Sequence, residues 1–409
     1  MVRSYDYDIV VVGGGPAGLS ASWSAAKMGL KVALIERDEA IGQNVRTSGV
    51  TWIKEAKSFG IPPDCYNEIS NYAFYSPNKF VLKKSKEAEV AVLDVRKTYQ
   101  FLAYKAASQG VDFFLKTSVT DIIKNQNQKL SGVKATSLKE DLVFNSKLVI
   151  DASGFYAIVG KSLGLVSSWR KFGAGAEYEA YVENINSNTW YLMVGSQYSP
   201  AGYAWIFPLD KNKARLGVGV GKPESQADAI KLLTGLIENR PKPFNELGKI
   251  TPIEFHYGLI PNEGLRESTI ADNLILVGDS AGQANPLVLE GIRYAIEFGR
   301  EAGRIGAEAV INGDTSKESL KSYEEAMKKA IASKIAAAIK IQYRWLNLND
   351  DEWDKELEII DELSIEEFLD FIKADFSMAN MLRLATHHPK LAIRQLFQII
   401  KNARRDEKE

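Results

Sequence analysis

Three glycines near the start of the chain, Gly13, Gly15 and Gly18, follow a short apolar run and open a stretch of helical character. At this spacing Gly13 permits a tight turn, Gly15 lets the backbone approach a pyrophosphate, and Gly18 lets a helix pack closely on a strand. Pro16 and Ala17 fall at the helix start, whose free N–H groups face an anion. Glu36 ends the next apolar run, placed to accept hydrogen bonds from a ribose, with Arg37 beside it. Far along the chain, Gly278-Asp279-Ser280-Ala281-Gly282 follows another apolar run, and a short carboxylate there can bind a polyhydroxylated chain. A third group is aromatic. In Pro200-Ala201-Gly202-Tyr203-Ala204-Trp205-Ile206-Phe207-Pro208, an extended backbone puts Tyr203, Trp205 and Phe207 on one face. Such a stripe either lines an apolar trough or fills the core of a sheet.

The elements that must position these groups can be read from periodicity and breakers. Residues 8–12 read as a buried parallel strand, 16–28 as a helix ended by Gly29, and 31–35 as a second strand, so 8–36 makes one βαβ unit. An irregular stretch at 37–49 leads to a helical pattern reaching 59 and a turn at 61–64. Strand-favouring residues occupy 72–93, and a helix is expected at 99–109, closed by Gly110. Strands are expected at 111–116, 119–124, 132–136 and 141–144, the last three a meander. A further buried strand at 147–151 ends in Asp151-Ala152-Ser153-Gly154. Between 171 and 257 aromatic and β-branched residues rise, as in an antiparallel sheet. A buried strand at 273–277 precedes Gly278-Asp279, and a helix is expected at 289–311.

From 317 onward only helical patterns appear. The acidic stretch 350–370 predicts a solvated helical face that could dock an electron donor. The basic stretch 389–405 sets Leu391, Ile393, Leu396, Phe397 and Ile400 along one helical face. A helix of that kind can lie in a membrane interface or pack on the protein's own surface. His387 and His388 read as a helix-boundary pair. The expected fold class is α/β (α+β overall): a Rossmann-type dinucleotide-binding domain with an inserted antiparallel β-sheet domain and a helical C-terminal region. The dinucleotide-binding domain is discontinuous (1–70, 94–170 and 265–312), the sheet domain takes 71–93 and 171–264, and the helical region takes 313–409.

Bulk composition narrows the classes. A chain of 409 residues exceeds one ordinary core. With 45% hydrophobic residues and 51 basic against 52 acidic groups, it has the balance of a globular protein and not that of a nucleic-acid binder. The single cysteine, Cys65, precludes an intrachain disulfide and reads as a small buried residue. Three histidines give no zinc-site spacing. No run reaches the roughly 18 apolar residues of a membrane span. The expected location is the cytoplasm, with peripheral contact at the inner membrane face.

The Gly13-to-Gly18 loop with Gly278-Asp279 and Glu290-Gly291-Ile292 resembles FAD-dependent oxidoreductases related to the aromatic hydroxylases. The resemblance implies that FAD is the cofactor, that Asp279 holds the ribityl chain, and that Gly291 and Ile292 lie near the pyrimidine ring of the flavin. Ala152 and Gly154 resemble that superfamily's turn beside the cofactor, and Arg96, in Leu93-Asp94-Val95-Arg96, its flavin-contacting arginine. The Pro200-to-Pro208 segment fits Pro-x-x-Tyr-x-Trp-x-Phe-Pro, a pattern of the geranylgeranyl reductase family. With the other motifs the resemblance covers about residues 5–310.

That family resemblance implies reduction of isolated double bonds in isoprenoid chains of membrane lipids or prenylquinones. Tyr203 and Trp205 would stabilise developing positive charge through their π faces, and Phe207, Pro208 and Pro286 would join them along the prenyl chain. Electrons would come from ferredoxin or NAD(P)H, since no second Gly-x-Gly-x-x-Gly occurs in a βαβ setting. One position departs. Family reductases commonly carry Val-Arg-Cys-Gly where this chain has Val45-Arg46-Thr47-Ser48-Gly49. Thr47 takes the thiol's place among the catalytic candidates, but a hydroxyl is far less acidic and cannot take over its chemistry. Arg46 and Thr47 could still contact the cofactor, with Arg46 on its pyrophosphate or on an anionic head group. Two other readings stay open: an FAD-dependent monooxygenase or halogenase-like enzyme, and a non-catalytic flavin-bearing binder of prenyl lipids.

Overall fold

The computed structural model describes residues 2–138, 140–374 and 378–388; the amphipathic stretch at 389–405 lies outside them. The strand Arg3–Val12 is the axis of the first sheet. It pairs in parallel with Val32–Ile35 on one side and Glu140–Asp151 on the other, and Asp112–Phe114 and Leu274–Leu276 extend the sheet outward, also in parallel. Where they lie side by side, at 9–12, 32–35, 148–150 and 274–276, the strands are apolar and buried, as in a sheet covered on both faces. The helix Pro16–Ala26 packs against Ile292–Ile311 at very close range. A Cβ at Gly299 or Gly303 would run into the carbonyls of Ala17 and Ala21.

The second sheet is built from Ile250–Pro261, Phe172–Val182, Lys213–Lys222, Ser199–Pro208, Thr189–Gly195, Asn71–Tyr75 and Phe80–Lys84, in that order across the sheet. Long strands pair antiparallel through its first half, and Thr189–Gly195 lies parallel to Asn71–Tyr75. A third, small sheet joins Val50–Trp52, Val90–Leu93 and Tyr66–Ile69.

Several boundaries differ from expectation for local reasons. Residues 141–144 and 147–151 form one unbroken strand, Glu140–Asp151, because its parallel pairing to Arg3–Val12 runs through the polar Asn145 and Ser146. The helix expected at 99–109 starts at Val95, since Asp94 caps it by accepting from the Lys97 N–H at 3.0 Å. The helix expected from 289 starts at Ile292, because Leu289 sits at φ +52° and Glu290 bridges back to Asn285. Val90–Leu93 belongs to the small sheet, not to the large one with the rest of 71–93.

The acidic stretch is not simply a solvated face. The helix Asp350–Glu362 buries Trp353, Leu357 and Ile360, and its carboxylates fasten it down. Asp350 accepts from the Ser196 N–H at 2.7 Å. Asp354 accepts from the Ser76 hydroxyl at 2.5 Å and the Asn78 side-chain amide at 2.8 Å, and Glu356 pairs with Arg344. In the next helix, Ile365–Ile372, Phe368 packs between Tyr72 and Phe74 at ring distances of 5.6 and 5.2 Å. His387 and His388 both meet the Glu367 carboxylate, at 2.8 and 3.1 Å. Among the described residues no helix is long and apolar enough to cross a membrane.

Candidate active site

A cavity of about 640 Å³ opens between the first and second sheets. Its floor on one side is the glycine loop. Gly13 holds φ +109°, and a Cβ there would collide with the Ala152 carbonyl, so the turn requires glycine. Gly15 has open space around its Cβ direction, and it lines the cavity with Pro16 and Ala17 at the helix start. Gly18 does not reach the cavity. Its Cα faces the Gly13 carbonyl and lets helix and loop touch. Glu36 accepts the Gly14 N–H at 2.6 Å and the Asp38 N–H at 2.9 Å, one on each oxygen. Each oxygen keeps a free lone-pair direction, so the carboxylate braces the loop and can still take ribose hydroxyls.

Ala152 and Gly154 line the cavity in a turn stapled from behind by Asp151. That fully buried carboxylate accepts from the Ser153 hydroxyl at 2.5 Å and the Gly160 N–H at 2.8 Å. Next to this turn stand Gly278, Asp279, Gly291 and Ile292, with Gly278 against Ala17 and Ser280 donating to the Gly154 carbonyl at 3.0 Å. Among the described residues nothing donates a hydrogen bond to the Asp279 carboxylate, and burial pushes its carboxyl up to about 7. A carboxylate facing a cavity without a donor is what a polyol chain would complete. The donor-rich helix start, the Glu36 acceptor and the unpartnered Asp279 fit FAD, and all three border one continuous cavity.

The second sheet supplies the remaining wall, organised in three cross-strand rows on one face. Tyr203, Gly219, Gly175 and Gly258 are register neighbours, and so are Trp205, Gly217, Glu177 and His256. Phe207, Arg215, Glu179 and Glu254 make the third row. The first row is three glycines beside one tyrosine, which gives a floor without side chains. In the second row the missing side chain at Gly217 leaves a gap into which the Trp205 indole lies, where any Cβ would overlap it. Trp205 Nε1 reaches across to donate to Glu177 Oε2 at 2.7 Å, and His256 Nδ1 meets Glu177 Oε1 at 2.9 Å. Tyr203 donates its hydroxyl to the Val288 carbonyl at 2.7 Å, and burial raises that hydroxyl's pKa.

Tyr203, Trp205, Arg37, Arg46 and Thr47 all border the cavity. Arg46 also pairs with Asp38 at 3.0 Å. The Arg46–Thr47 segment presses so closely on Gly258 that a Cβ there would strike the Arg46 carbonyl. Besides Gly18, four expected residues do not border it. Arg96 turns the other way, donating to the Gly42 and Gln43 carbonyls at 3.1 Å and to Glu254 at 2.6 Å. Phe207 is buried against Trp205 and Trp190. Pro208 lies at the strand end, with its carbonyl accepting from Asn67 at 3.0 Å, and the Pro286 carbonyl accepts from Gln342 at 2.5 Å. Glu177, His256 and Arg215 are functional candidates that reading the sequence missed. Their one signal was the alternation of Arg215, Gly217 and Gly219, which removes side chains from one strand face. Cys65 is buried, and burial raises its thiol pKa.

Fold and cradle together define an FAD-dependent oxidoreductase. Residues 8–161 match the FAD dependent oxidoreductase family, and residues 173–260 match the geranylgeranyl reductase catalytic domain. The digeranylgeranylglycerophospholipid reductase 2 of Methanococcoides burtonii is 34% identical over 85% of this chain and 86% of its own. The digeranylgeranylglycerophospholipid reductase of Methanocaldococcus jannaschii is 33% identical over 87% and 91%. The chain belongs to the geranylgeranyl reductase family. The crystal structure of a geranylgeranyl bacteriochlorophyll reductase-like protein from Thermoplasma acidophilum superposes with a TM-score of 0.84 at 26% identity, covering 97% of this chain and 99% of that one. A flavin-dependent brominase shares the fold at a TM-score of 0.63 and 20% identity, over 84% of this chain and 90% of its own.

Proposed function

We propose that the protein reduces isolated double bonds in the isoprenoid chains of archaeal-type membrane lipids. The observation that carries this reading is the row of Gly219, Gly175 and Gly258 beside Tyr203, which lines the same cavity as Trp205 and the flavin cradle. A floor without side chains accepts a flat ring or a slender chain at close range, and the aromatic rings beside it stabilise developing positive charge on an alkene carbon. Bound FAD, once reduced, supplies the hydride that an unconjugated alkene needs.

The chain's own residues orient and enclose. Asp279 would hold the ribityl hydroxyls of FAD, and Gly291 would leave room beside its ring. Arg46 at the rim neutralises an anionic lipid head group, and the tie from Trp205 to Glu177 keeps the indole fixed. Electrons arrive from ferredoxin or NAD(P)H, and substrate is met at a membrane surface. Anaerobically reduced protein mixed with a geranylgeranyl-chain lipid should reoxidise in step with lipid added. Reoxidation by O₂ alone, with oxygen entering the lipid, would instead make it a monooxygenase.

A further inference from the structure

Reducing an alkene takes a proton as well as a hydride, and the cavity's obvious acids do not serve. Thr47 is an alcohol, Tyr203 has its hydroxyl committed to Val288, and burial raises the pKa of Tyr203 and of Tyr99. Asp279 stands in the cofactor cradle. Buried in the wall stand Glu177 and His256, each about 4% exposed, in the same cross-strand row as Trp205.

The far side of this pair leads outward. Among the described residues His256 Nε2 has no hydrogen-bond partner of good geometry, and it lies 3.3 Å from Glu254 Oε1. Glu254 lines a separate cleft of about 260 Å³, together with Arg96, Lys97, Lys213, Glu179 and Arg215. Glu179 stays ionised there. Burial opposes its ionisation, but Lys213 and Arg215 outweigh that effect and hold the carboxyl below its usual range. Arg215 Nε stands 3.7 Å from Glu177, and its NH1 donates to the Ser48 and Leu93 carbonyls at 2.8 Å. The wall between cleft and cavity is therefore pinned at the Thr47 loop. The charged groups facing His256 are Glu254 from its own strand, Glu177 and Glu179 from the next, Arg215 and Lys213 beyond, and Arg96 through Glu254.

We propose that Glu177 and His256 are the proton source for alkene reduction, recharged through Glu254 from the outer cleft. The inference rests on the reductase reading. In the step, the alkene π bond breaks, one carbon takes the hydride, and the other takes the proton held between Glu177 and His256. The electron pair that leaves the reduced cofactor with the hydride ends in one new C–H bond, and the former π pair binds the proton in the other. One proton from water in the cleft then passes by Glu254 to the pair, which returns to its starting charge. Imidazole suits this passage because one ring nitrogen can receive while the other gives.

The test has two arms on the holoenzyme. In the first, oxidised protein without lipid is labelled with ¹⁵N-histidine, and His256→Gln assigns the His256 signals. Protonation of Nε2 somewhere between about pH 5 and pH 9 supports a relay, and an Nε2 that stays bare throughout that window overturns it. In the second, reduced wild type, Glu177→Gln, His256→Gln and Glu254→Gln are mixed with geranylgeranyl lipid under anaerobic conditions. The expected result is a loss of about 10²-fold or more in lipid-dependent reoxidation for the first two variants. Glu254→Gln should slow turnover with a larger solvent isotope effect and an unchanged FAD content. Variants that bind FAD normally and react at the wild-type rate overturn the relay. If wild type itself does not react, it is the reductase reading that fails. If the Glu177 and His256 variants lose FAD, the ¹⁵N titration of wild type decides alone.

Discussion

Trp205 donates its indole N–H to Glu177 Oε2 at 2.7 Å, across a strand on which Gly217 leaves no side chain in the way. This contact ties the aromatic wall of the cavity to the buried charged row behind it. The Tyr-x-Trp-x-Phe alternation works only because the neighbouring strand carries Gly217 and Gly219 at the matching register positions.

Gly217→Ala should therefore be costly. Its Cβ would overlap the indole, forcing Trp205 off Glu177, with an expected loss of about 2 kcal/mol or more in urea unfolding. Gly175→Ala is the matched control. There the nearest atom, on the Trp205 ring, lies 3.6 Å away in ordinary contact, and stability should change by less than about 0.5 kcal/mol.

Asp279 predicts a pH dependence whose sign is fixed. Its folded-state value, raised to about 7 from 3.8 by burial, means that ionisation costs stability in flavin-free protein. The penalty is absent below about pH 4, grows through the interval, and is complete above pH 7. Asp279→Asn should raise the melting temperature of flavin-stripped protein at pH 8 and leave it unchanged at pH 4. The same variant should bind FAD roughly 10-fold or more weaker at pH 8, read by the flavin absorbance that survives gel filtration.

Much of this site could be read from the sequence, because its parts are local. Gly13 to Glu36 is one contiguous βαβ unit, and Tyr203, Trp205 and Phe207 share a face by simple alternation. Glu177 and His256 were not legible. They come from two strands that meet each other and Trp205 only through long-range register, and no spacing rule relates residues 177, 205 and 256. Arg96 shows the opposite failure. Its motif, Leu93-Asp94-Val95-Arg96, was clear, but which way the side chain turns depends on Glu254, far along the chain. The acidic stretch read as solvated because charge alone does not reveal that Ser76, Asn78 and Ser196 wait to donate to it.

Asp354→Ala should loosen the C-terminal cover. Removing the acceptor of Ser76 and Asn78 costs about 1–2 kcal/mol and should speed amide exchange across Asp350–Glu362 without altering FAD content. Unchanged exchange would mean that Trp353 and Leu357 alone hold this helix.

Thr47→Cys puts at the cavity wall the thiol that the family resemblance implied at this position. With Glu177 and His256 supplying the proton, lipid-dependent reoxidation should change by less than about 10-fold in this variant. A gain of about 10²-fold or more would identify the thiol as the missing acid.

The central claim is tested most directly by the mass of the lipid product. Reduced protein is incubated without oxygen in ²H₂O with a geranylgeranyl-chain lipid, and the lipid is then weighed by mass spectrometry. Saturation of double bonds, with two hydrogens gained per bond and deuterium at both carbons, because the hydride-bearing N–H of a reduced flavin also exchanges with water, is the predicted result. A lipid of unchanged mass beside fully reduced flavin would contradict the account.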